Sequence, residues 1–242
     1  MRHLLISLLV SIAAAGTLSA QQYRQLTDVP TIYIETEGGK NIVSKEDYIN
    51  CTLIYVDGEQ TTRYENTQIR GRGNSSWWSS EKKPYRIKFE KKQELLGSGF
   101  AKAKSWTLLA NHGDKTMIRN ALTYDLGRFL GMKFCPAAKF TDLYLNGEYR
   151  GTFQISDQVQ VHKKRVDISE EDGWFLEVVN ENSKEEPLIT STRYGIMYNI
   201  KNPEDEYLTV ICSALASSGC MISFTCIKLK SSGLIMLSGE YA

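Results

Sequence analysis

The segment DLYLNGEYRGTFQI, residues 142–155, carries the strongest local signal for the fold. Two runs rich in aliphatic and aromatic residues flank the dipeptide Asn146-Gly147. This dipeptide favours the type I′ turn, because both of its central positions need a positive φ. Asp142–Leu145 and Glu148–Ile155 are therefore predicted to pair as a β-hairpin.

Short strand patterns lie on both sides of this hairpin. They are rich in β-branched and aromatic residues, and residues 85–89 alternate strictly between apolar and cationic side chains. The predicted strands are Thr31–Thr36, Cys51–Asp57, Tyr85–Phe89, Ser105–Ala110, Gly173–Val179 and Tyr194–Ile200.

One segment has helical periodicity instead. Asp114 is a candidate N-cap for a helix over residues 115–130, and Gly131 can end that helix. Its apolar residues recur at the spacing of one helix face: Ile118, Ala121, Leu122, Leu126, Phe129 and Leu130. The sequence therefore predicts an α+β fold that is dominated by sheet and has one clear helix.

Composition excludes several classes of protein. The 242 residues include 29 Lys and Arg against 28 Asp and Glu, a balance that argues against a nucleic-acid-binding protein. The hydrophobic share of 42% is too high for an intrinsically disordered chain. Five cysteines are too few for a disulfide scaffold. Only His112 and His162 lie beyond residue 22, so a histidine-rich metal site is not expected.

Residues 1–20 have the features of a secretory signal peptide. Arg2 supplies the positive start, an apolar stretch follows, and small residues end the segment. We therefore expect a protein that is secreted, periplasmic or on the cell surface. Export would place Cys51 and Cys135 in an oxidising compartment, and the sequence leaves open whether they pair.

Residues 209–242 differ from the rest of the chain, with only three charged residues and seven serines. One interpretation is a membrane anchor, because residues 207–227 carry no charge and are long enough to span a bilayer. Membrane contact is expected only on that interpretation. The other is a non-native tail that a frame shift near Leu208 would produce. Residues 30–208 are assigned to the folded domain.

The densest polar constellation spans residues 68–77 and 82–89. Two glycines allow a tight turn with exposed N–H groups, hydroxyl and amide side chains add donors, and the next strand adds cations. Such a combination can hold phosphate, although neither the Walker A spacing nor a complete G-x-G-x-x-G is present. A glycine-bearing loop beside a solvated cationic strand accounts for the same pattern without a ligand.

Asn111 and Arg119 form a second candidate pair around the predicted helix start. Together they could orient an anion, although a structural role explains each of them alone. Asp157, Asp167 and Glu177 are scattered carboxylates whose spacing does not indicate acid–base catalysis. These patterns identify no catalytic residue.

Five motifs, taken in order, resemble the CotH kinase family, which is named for spore coat protein H. They are IRGRGNSSW (Ile69–Trp77), KKPYRIKF (Lys82–Phe89), WTLLAN (Trp106–Asn111), IRN (Ile118–Asn120) and LNGEYRG (Leu145–Gly151). The resemblance covers roughly residues 69–205.

The resemblance implies an atypical protein kinase that uses ATP and a divalent metal such as Mg²⁺ to phosphorylate serines of coat or surface proteins. By this analogy the 70–76 loop covers the phosphates, and Arg86 or Lys88, which share one strand face, supplies the strand cation of a kinase. Lys83 is less favoured because it lies off that face. The implied nucleotide-binding residues are Arg70, Arg72, Asn74, Ser75, Ser76, Lys83, Arg86, Lys88, Asn111 and Arg119.

The sequence also departs from the family. The Asp-bearing segment that would hold the metal has no counterpart after Leu208, so we expect the nucleotide-side half of a kinase-like fold, truncated or frame-shifted and inactive. The expected partner is a serine-rich protein substrate, with no nucleic acid. The alternative is a non-catalytic binding module of the cell surface that recognises a protein or glycan through exposed Trp77 and Trp78.

Overall fold

Seven strands close into a β-barrel in the computed structural model, which describes residues 23–171, 173–181, 188–190, 195–202 and 235–238. The barrel strands are β1 (Thr31–Thr36), β2 (Ile49–Asp57), β3 (Gln60–Gly71), β4 (Tyr85–Gln93), β5 (Ala103–Leu109), β6 (Ala138–Leu145) and β7 (Glu148–Asp157). Their order around the barrel is β1-β2-β3-β4-β5-β7-β6.

The barrel closes through its first strand. All other neighbouring strands are antiparallel, whereas β1 and β6 pair in parallel, from Thr31 opposite Asp142 to Ile34 opposite Leu145. The closing pair is fixed by a side chain as well, since the Thr141 hydroxyl donates to the Pro30 carbonyl at 2.9 Å. No barrel strand is left with a free edge along these ladders.

The main hydrophobic core fills the barrel. Successive side chains of a strand point to opposite faces, so every second residue enters the interior. Trp106 and Phe153 are the largest fully buried side chains, and Ile87 and Leu108 pack in the same cluster. The one polar atom of Trp106 is satisfied, because its Nε1 donates to the Ala103 carbonyl at 3.1 Å.

A second, four-stranded sheet follows the barrel, with the order β11-β8-β10-β9. Its strands are β8 (Phe175–Val179), β9 (Leu188–Thr190), β10 (Met197–Asn202) and β11 (Ile235–Ser238). β10 pairs antiparallel with both β8 and β9, and β11 pairs in parallel with β8.

Helices contribute little to the described residues. They are a 3₁₀ turn (Glu37–Gly39), the single-turn α1 (Ser75–Trp78) and α2 (Arg119–Phe129). The apolar side chains of α2 and its flanks are exposed, with 51% for Leu126 and 85% for Phe129. The predicted apolar helix face therefore exists, but no strand of the barrel covers it.

The predicted α+β, kinase-like fold class is wrong, because the strands form a closed barrel and α2 adds no layer to it. The predicted start of the helix is also wrong by four residues. Met117 has a φ of +59°, which interrupts any helix begun at Asp114. Instead, the Asp114 carboxylate accepts hydrogen bonds from the backbone N–H groups of Thr116 and Arg119, at 3.0 and 2.8 Å.

The hairpin prediction is confirmed. β6 and β7 pair across Asn146 and Gly147, whose φ values are +50° and +81°, as a type I′ turn requires. Cys51 and Cys135, whose pairing the sequence left open, are both free thiols. Within the described residues, no helix has the length and apolar character needed to cross a bilayer. The predicted signal peptide and the 207–227 segment lie outside the described residues.

Candidate functional site

Cations converge on the outer face of the β3–β4 pair. Ile69 and Ile87 point into the barrel, so their neighbours along the strands point out. Arg70 lies directly opposite Arg86 in this antiparallel ladder, and Lys88 lies opposite Gln68. We call Arg70, Arg72, Arg86 and Lys88 the arginine cluster.

An aromatic ring lies beneath this cluster. The Tyr48 ring centroid is 5.0 Å from Arg70 Cζ and 5.6 Å from Lys88 Nζ, so two cations share one π face. Tyr48 was missed by sequence reasoning, because it precedes β2 and reaches the cluster only through the pairing of β2 with β3. No local spacing would have identified it.

The charges of Arg70, Arg86 and Lys88 are poorly matched by the described residues. The Arg70 guanidinium is 3.7 Å from the exposed Glu46 carboxylate. Neither Arg86 nor Lys88 has a carboxylate at ion-pair distance in the described part of the chain. Like charges directly opposite each other in a ladder repel, so this arrangement costs stability unless an anion joins it.

The cost in stability is larger at Arg86, because this side chain is half-buried. Burial lowers the pKa of Arg86 most, and the nearby cations Arg70 and Arg72 lower it further, against the opposing effect of Tyr48. Among the described residues, the buried Nε atoms of Arg70 and Arg86 have no hydrogen-bond acceptor. Two orphaned guanidinium donors on one surface indicate a site for an oxyanion.

The glycine turn that follows β3 is packed rather than open. A Cβ added to Gly71 would lie 2.4 Å from the Trp77 ring, and one added to Gly73, whose φ is +86°, would lie 2.2 Å from Ser76 Oγ. Ser76 Oγ is buried without a partner among the described residues. The predicted residues Asn74, Ser75 and Ser76 thus form the first turn of α1, where Asn74 makes no side-chain cap.

Lys83 supports this turn. Its ammonium donates to the Trp77 carbonyl at 2.7 Å and lies 5.4 Å from the centroid of the Trp77 ring. It belongs to the underside of α1 and not to the arginine cluster. Trp77 is buried and only Trp78 is exposed, so the prediction that both tryptophans are exposed is wrong for Trp77.

Asn111 and Arg119 lie in a separate network before α2. Asn111 Nδ2 donates to the Gln154 side chain at 2.7 Å and to the Met117 carbonyl at 3.1 Å, and Asn111 Oδ1 accepts from Asn120. Arg119 is largely exposed, and its Nε is 3.4 Å from Asp114 Oδ1. These bonds hold the loop in shape, and neither residue contacts the arginine cluster in the described structure.

Two of the three carboxylates singled out in the sequence, Asp157 and Glu177, are engaged elsewhere. Asp157 is paired with the buried Arg165 at 2.8 Å, and Glu177 is 3.1 Å from Lys201. No group of three His, Cys, Asp or Glu side chains within the described residues is arranged to hold a metal ion. The described residues therefore supply no group of three protein ligands for a divalent metal.

The protein is therefore a β-barrel whose outer surface carries a cluster of cations that suits an oxyanion ligand. The model of the CotH kinase protein family matches residues 69–216, more than half of the chain, so the chain belongs to the CotH kinase family. The predicted family resemblance is confirmed. No curated protein matches the chain well enough to refine this assignment.

Proposed function

We propose that this CotH family member binds the polyphosphate of ATP on the arginine cluster. The observation that carries the proposal is the direct opposition of Arg70 and Arg86, with two buried Nε donors that lack an acceptor among the described residues. A guanidinium presents its donors in a planar fork that matches phosphate oxygens. A bound polyphosphate would neutralise the repulsion between the Arg70 and Arg86 guanidinium groups.

The family implies that ATP and a divalent metal serve phosphoryl transfer to serines of coat or surface proteins. The phosphates of the nucleotide suit the arginine cluster. In contrast, the described residues contain no group of three or more His, Cys, Asp or Glu side chains that could hold the metal. Bridging metal ions neutralise the charge that develops in transfer. We therefore propose an exported member of a kinase lineage whose described residues bind nucleotide but do not transfer phosphate to a serine-rich protein.

Export is part of the same proposal and rests on the sequence of residues 1–20. The full chain, expressed with its own N-terminus in a secreting host, should be recovered outside the cytoplasm and begin near Gln21. Intact-mass measurement on the secreted material tests this. Retention of residues 1–20 in that material would overturn it.

The direct test is ATP binding by titration calorimetry with three variants of the full chain. Arg86→Met and Lys88→Met should each weaken binding by about tenfold or more, the usual size of a charged hydrogen bond. Lys91→Met is the matched control, because Lys91 is an exposed lysine farther along β4, and it should leave affinity unchanged. Equal affinity in all variants would overturn the site.

Transfer is tested separately with labelled ATP, Mg²⁺ and a serine-rich peptide, and we expect no incorporation. Robust metal-dependent incorporation that Arg86→Met with Lys88→Met abolished would contradict the inactive assignment. A second function, recognition of a protein or glycan, is favoured by Trp78, which is 74% exposed. Failure to bind ATP, together with retention on a surface polymer that Trp78→Ala abolished, would favour that function instead.

A further inference from the structure

Lys82 is a cation held in a fixed place away from the arginine cluster. Its ammonium donates to the Thr152 carbonyl at 2.5 Å and lies 4.8 Å from the centroid of the Phe153 ring. Lys82 also lies beside Gly151, since a Cβ added at this glycine would be 3.6 Å from Lys82 Cε, an ordinary van der Waals distance. Lys82 therefore packs on β7 and not on the β3–β4 face.

The Lys82 ammonium is only partly satisfied. It has three N–H donors, and its described partners are the Thr152 carbonyl and, at 3.9 Å, the weak acceptor Met117 Sδ. No carboxylate in the described structure lies at ion-pair distance from it, whereas Lys139 is 2.6 Å from Asp57. Burial lowers the pKa of Lys82, in keeping with a charge that the protein does not match.

A cavity of about 470 Å³ opens beside Lys82. Its lining residues are Trp78, Ser79, Ser80, Glu81, Lys82 and His112. Ser80 is buried, and its Oγ accepts the Lys82 backbone N–H at 3.0 Å, so the hydroxyl hydrogen remains available to donate. Trp78 offers an exposed indole face at the same cavity, and Glu81 is the one carboxylate in the lining.

We infer that this cavity, the Lys82 pocket, is a second binding site, for a ligand that joins an oxyanion to a planar ring. The oxyanion is matched by the Lys82 ammonium and the Ser80 hydroxyl, which belong to residues that line the pocket. The ring is matched by the Trp78 indole, because flat rings stack on exposed aromatic faces. Glu81 disfavours a second negative charge on the ligand, so a singly charged group is preferred.

The two cationic sites differ in the ligand that they suit. The arginine cluster is an open strand face with several cations, which fits an extended polyanion. The Lys82 pocket has one ammonium and an aromatic wall, which fits one oxyanion on a small ring compound. This inference stands on Lys82 and Trp78 and does not depend on ATP binding at the arginine cluster.

The test is calorimetric titration of the full chain with benzoate, phenyl phosphate, benzyl alcohol and inorganic phosphate. Benzoate and phenyl phosphate carry the same ring on different oxyanions, and benzoate should bind more tightly at about pH 7, because phenyl phosphate is then largely doubly charged. Benzyl alcohol keeps a ring without the charge, and inorganic phosphate keeps the charge without a ring. Both of these should bind at least about tenfold more weakly than the better ring oxyanion.

Variants locate the binding. Lys82→Met and Trp78→Ala should each weaken the better ring oxyanion by about tenfold or more, whereas Arg86→Met and Lys102→Met should not. Lys102 is an exposed lysine and the matched control. If Lys82→Met fails to fold, Trp78→Ala decides alone, because Trp78 is on the surface.

Three results would overturn the inference. Loss of binding in Arg86→Met would place the ring oxyanion at the arginine cluster. Equal binding of benzyl alcohol would make the pocket merely apolar. Unchanged affinity in Trp78→Ala would show that the ring of the ligand does not stack on the Trp78 indole. Since the ATP titration has its own variants, failure here leaves the arginine cluster untouched.

Discussion

Two arginines of this protein, Arg165 and Arg86, differ in the charged groups that surround them. Arg165 is fully buried, and its Nε is 2.8 Å from Asp157 Oδ1. Its Nη2 donates to the Ser105 carbonyl at 3.1 Å, and its Cζ is 4.9 Å from the centroid of the Trp106 ring. Arg86 is half-buried and lies opposite Arg70. One guanidinium is matched by a carboxylate of the protein, and the other is met by a like charge.

The difference separates cations of the fold from cations that suit a ligand. A guanidinium taken out of water is costly unless a carboxylate and hydrogen bonds replace its hydration. At Arg165 the protein itself supplies the Asp157 carboxylate and the Ser105 carbonyl, and the Ala137 N–H binds the other oxygen of Asp157 at 3.0 Å, although Arg165 Nη1 is buried without a partner among the described residues. At Arg86 the described residues supply no carboxylate at ion-pair distance, which supports the proposed polyphosphate site.

The largest expected effect follows from breaking the matched pair. Arg165→Met should lower the free energy of unfolding by about 3–5 kcal/mol, because it leaves Asp157 buried and unpaired. Urea denaturation with a two-state fit measures this loss. The double variant Arg165→Met with Asp157→Asn should recover part of the stability, and a single variant with native stability would contradict the structural role of the pair.

The same variant should depend on pH in a particular direction. Burial raises the pKa of Asp157, and Arg165 is among the groups that oppose the rise. Removing Arg165 therefore raises this pKa further. A raised acid binds more protons in the folded than in the unfolded state, so its contribution to stability falls as pH increases through the window between the two pKa values.

The stability of Arg165→Met should accordingly be closest to that of the native chain at acidic pH. We expect its deficit to narrow by on the order of 1 kcal/mol between about pH 7 and about pH 4. Urea midpoints across this range measure it. The double variant with Asp157→Asn should lack the narrowing, and His162, whose pKa burial lowers, is retained in both variants. A deficit that widens in acid would refute the assignment to Asp157.

A smaller effect of opposite sign is expected from the unmatched arginine. Without nucleotide, Arg86→Met should leave stability unchanged or raise it by up to about 1 kcal/mol, because the repulsion with Arg70 is relieved. Thermal unfolding at low and high salt measures it, and salt should reduce the gain by screening. A loss comparable to that of Arg165→Met would mean that Arg86 is structural.

The smallest effect extends the contrast to apolar side chains. Leu126 on α2 is exposed, whereas Leu108 of β5 is fully buried. Leu126→Ala should change stability by less than about 0.5 kcal/mol, whereas Leu108→Ala should cost about 2–5 kcal/mol. Parallel urea titrations compare them. A large loss from Leu126→Ala would show that something covers the face of α2.

Local signals predicted the parts of this fold, and distant pairing decided its shape. The Asn146-Gly147 turn follows from turn chemistry, and the bounds of β1 follow from its β-branched and aromatic residues. Barrel closure does not, because the β1–β6 register joins segments with no local pattern in common. Helical periodicity predicted the apolar face of α2, yet that face is exposed, since periodicity records the shape of a helix and not what packs against it.

The candidate site, too, was predicted only in part from the sequence. A period of two places Arg86 and Lys88 on one strand face from sequence alone. The opposition of Arg70 and Arg86 needs the β3–β4 register, and the approach of Tyr48 needs a third strand. Asn111 ends the WTLLAN motif of the family resemblance, and its side chain is held by Gln154. Spacing along the sequence does not predict this contact, because Gln154 lies on a different strand.

The parallel closure of β1 on β6 also determines how the chain must fold. β1 lies next to a strand that comes about a hundred residues later, so a long loop must close before the first strand gains its second partner. Barrels with such distant contacts fold slowly. Until β6 arrives, one edge of β1 exposes unpaired backbone groups that another chain could join. The early part of this protein is therefore most open to aggregation while its later part is still being synthesised.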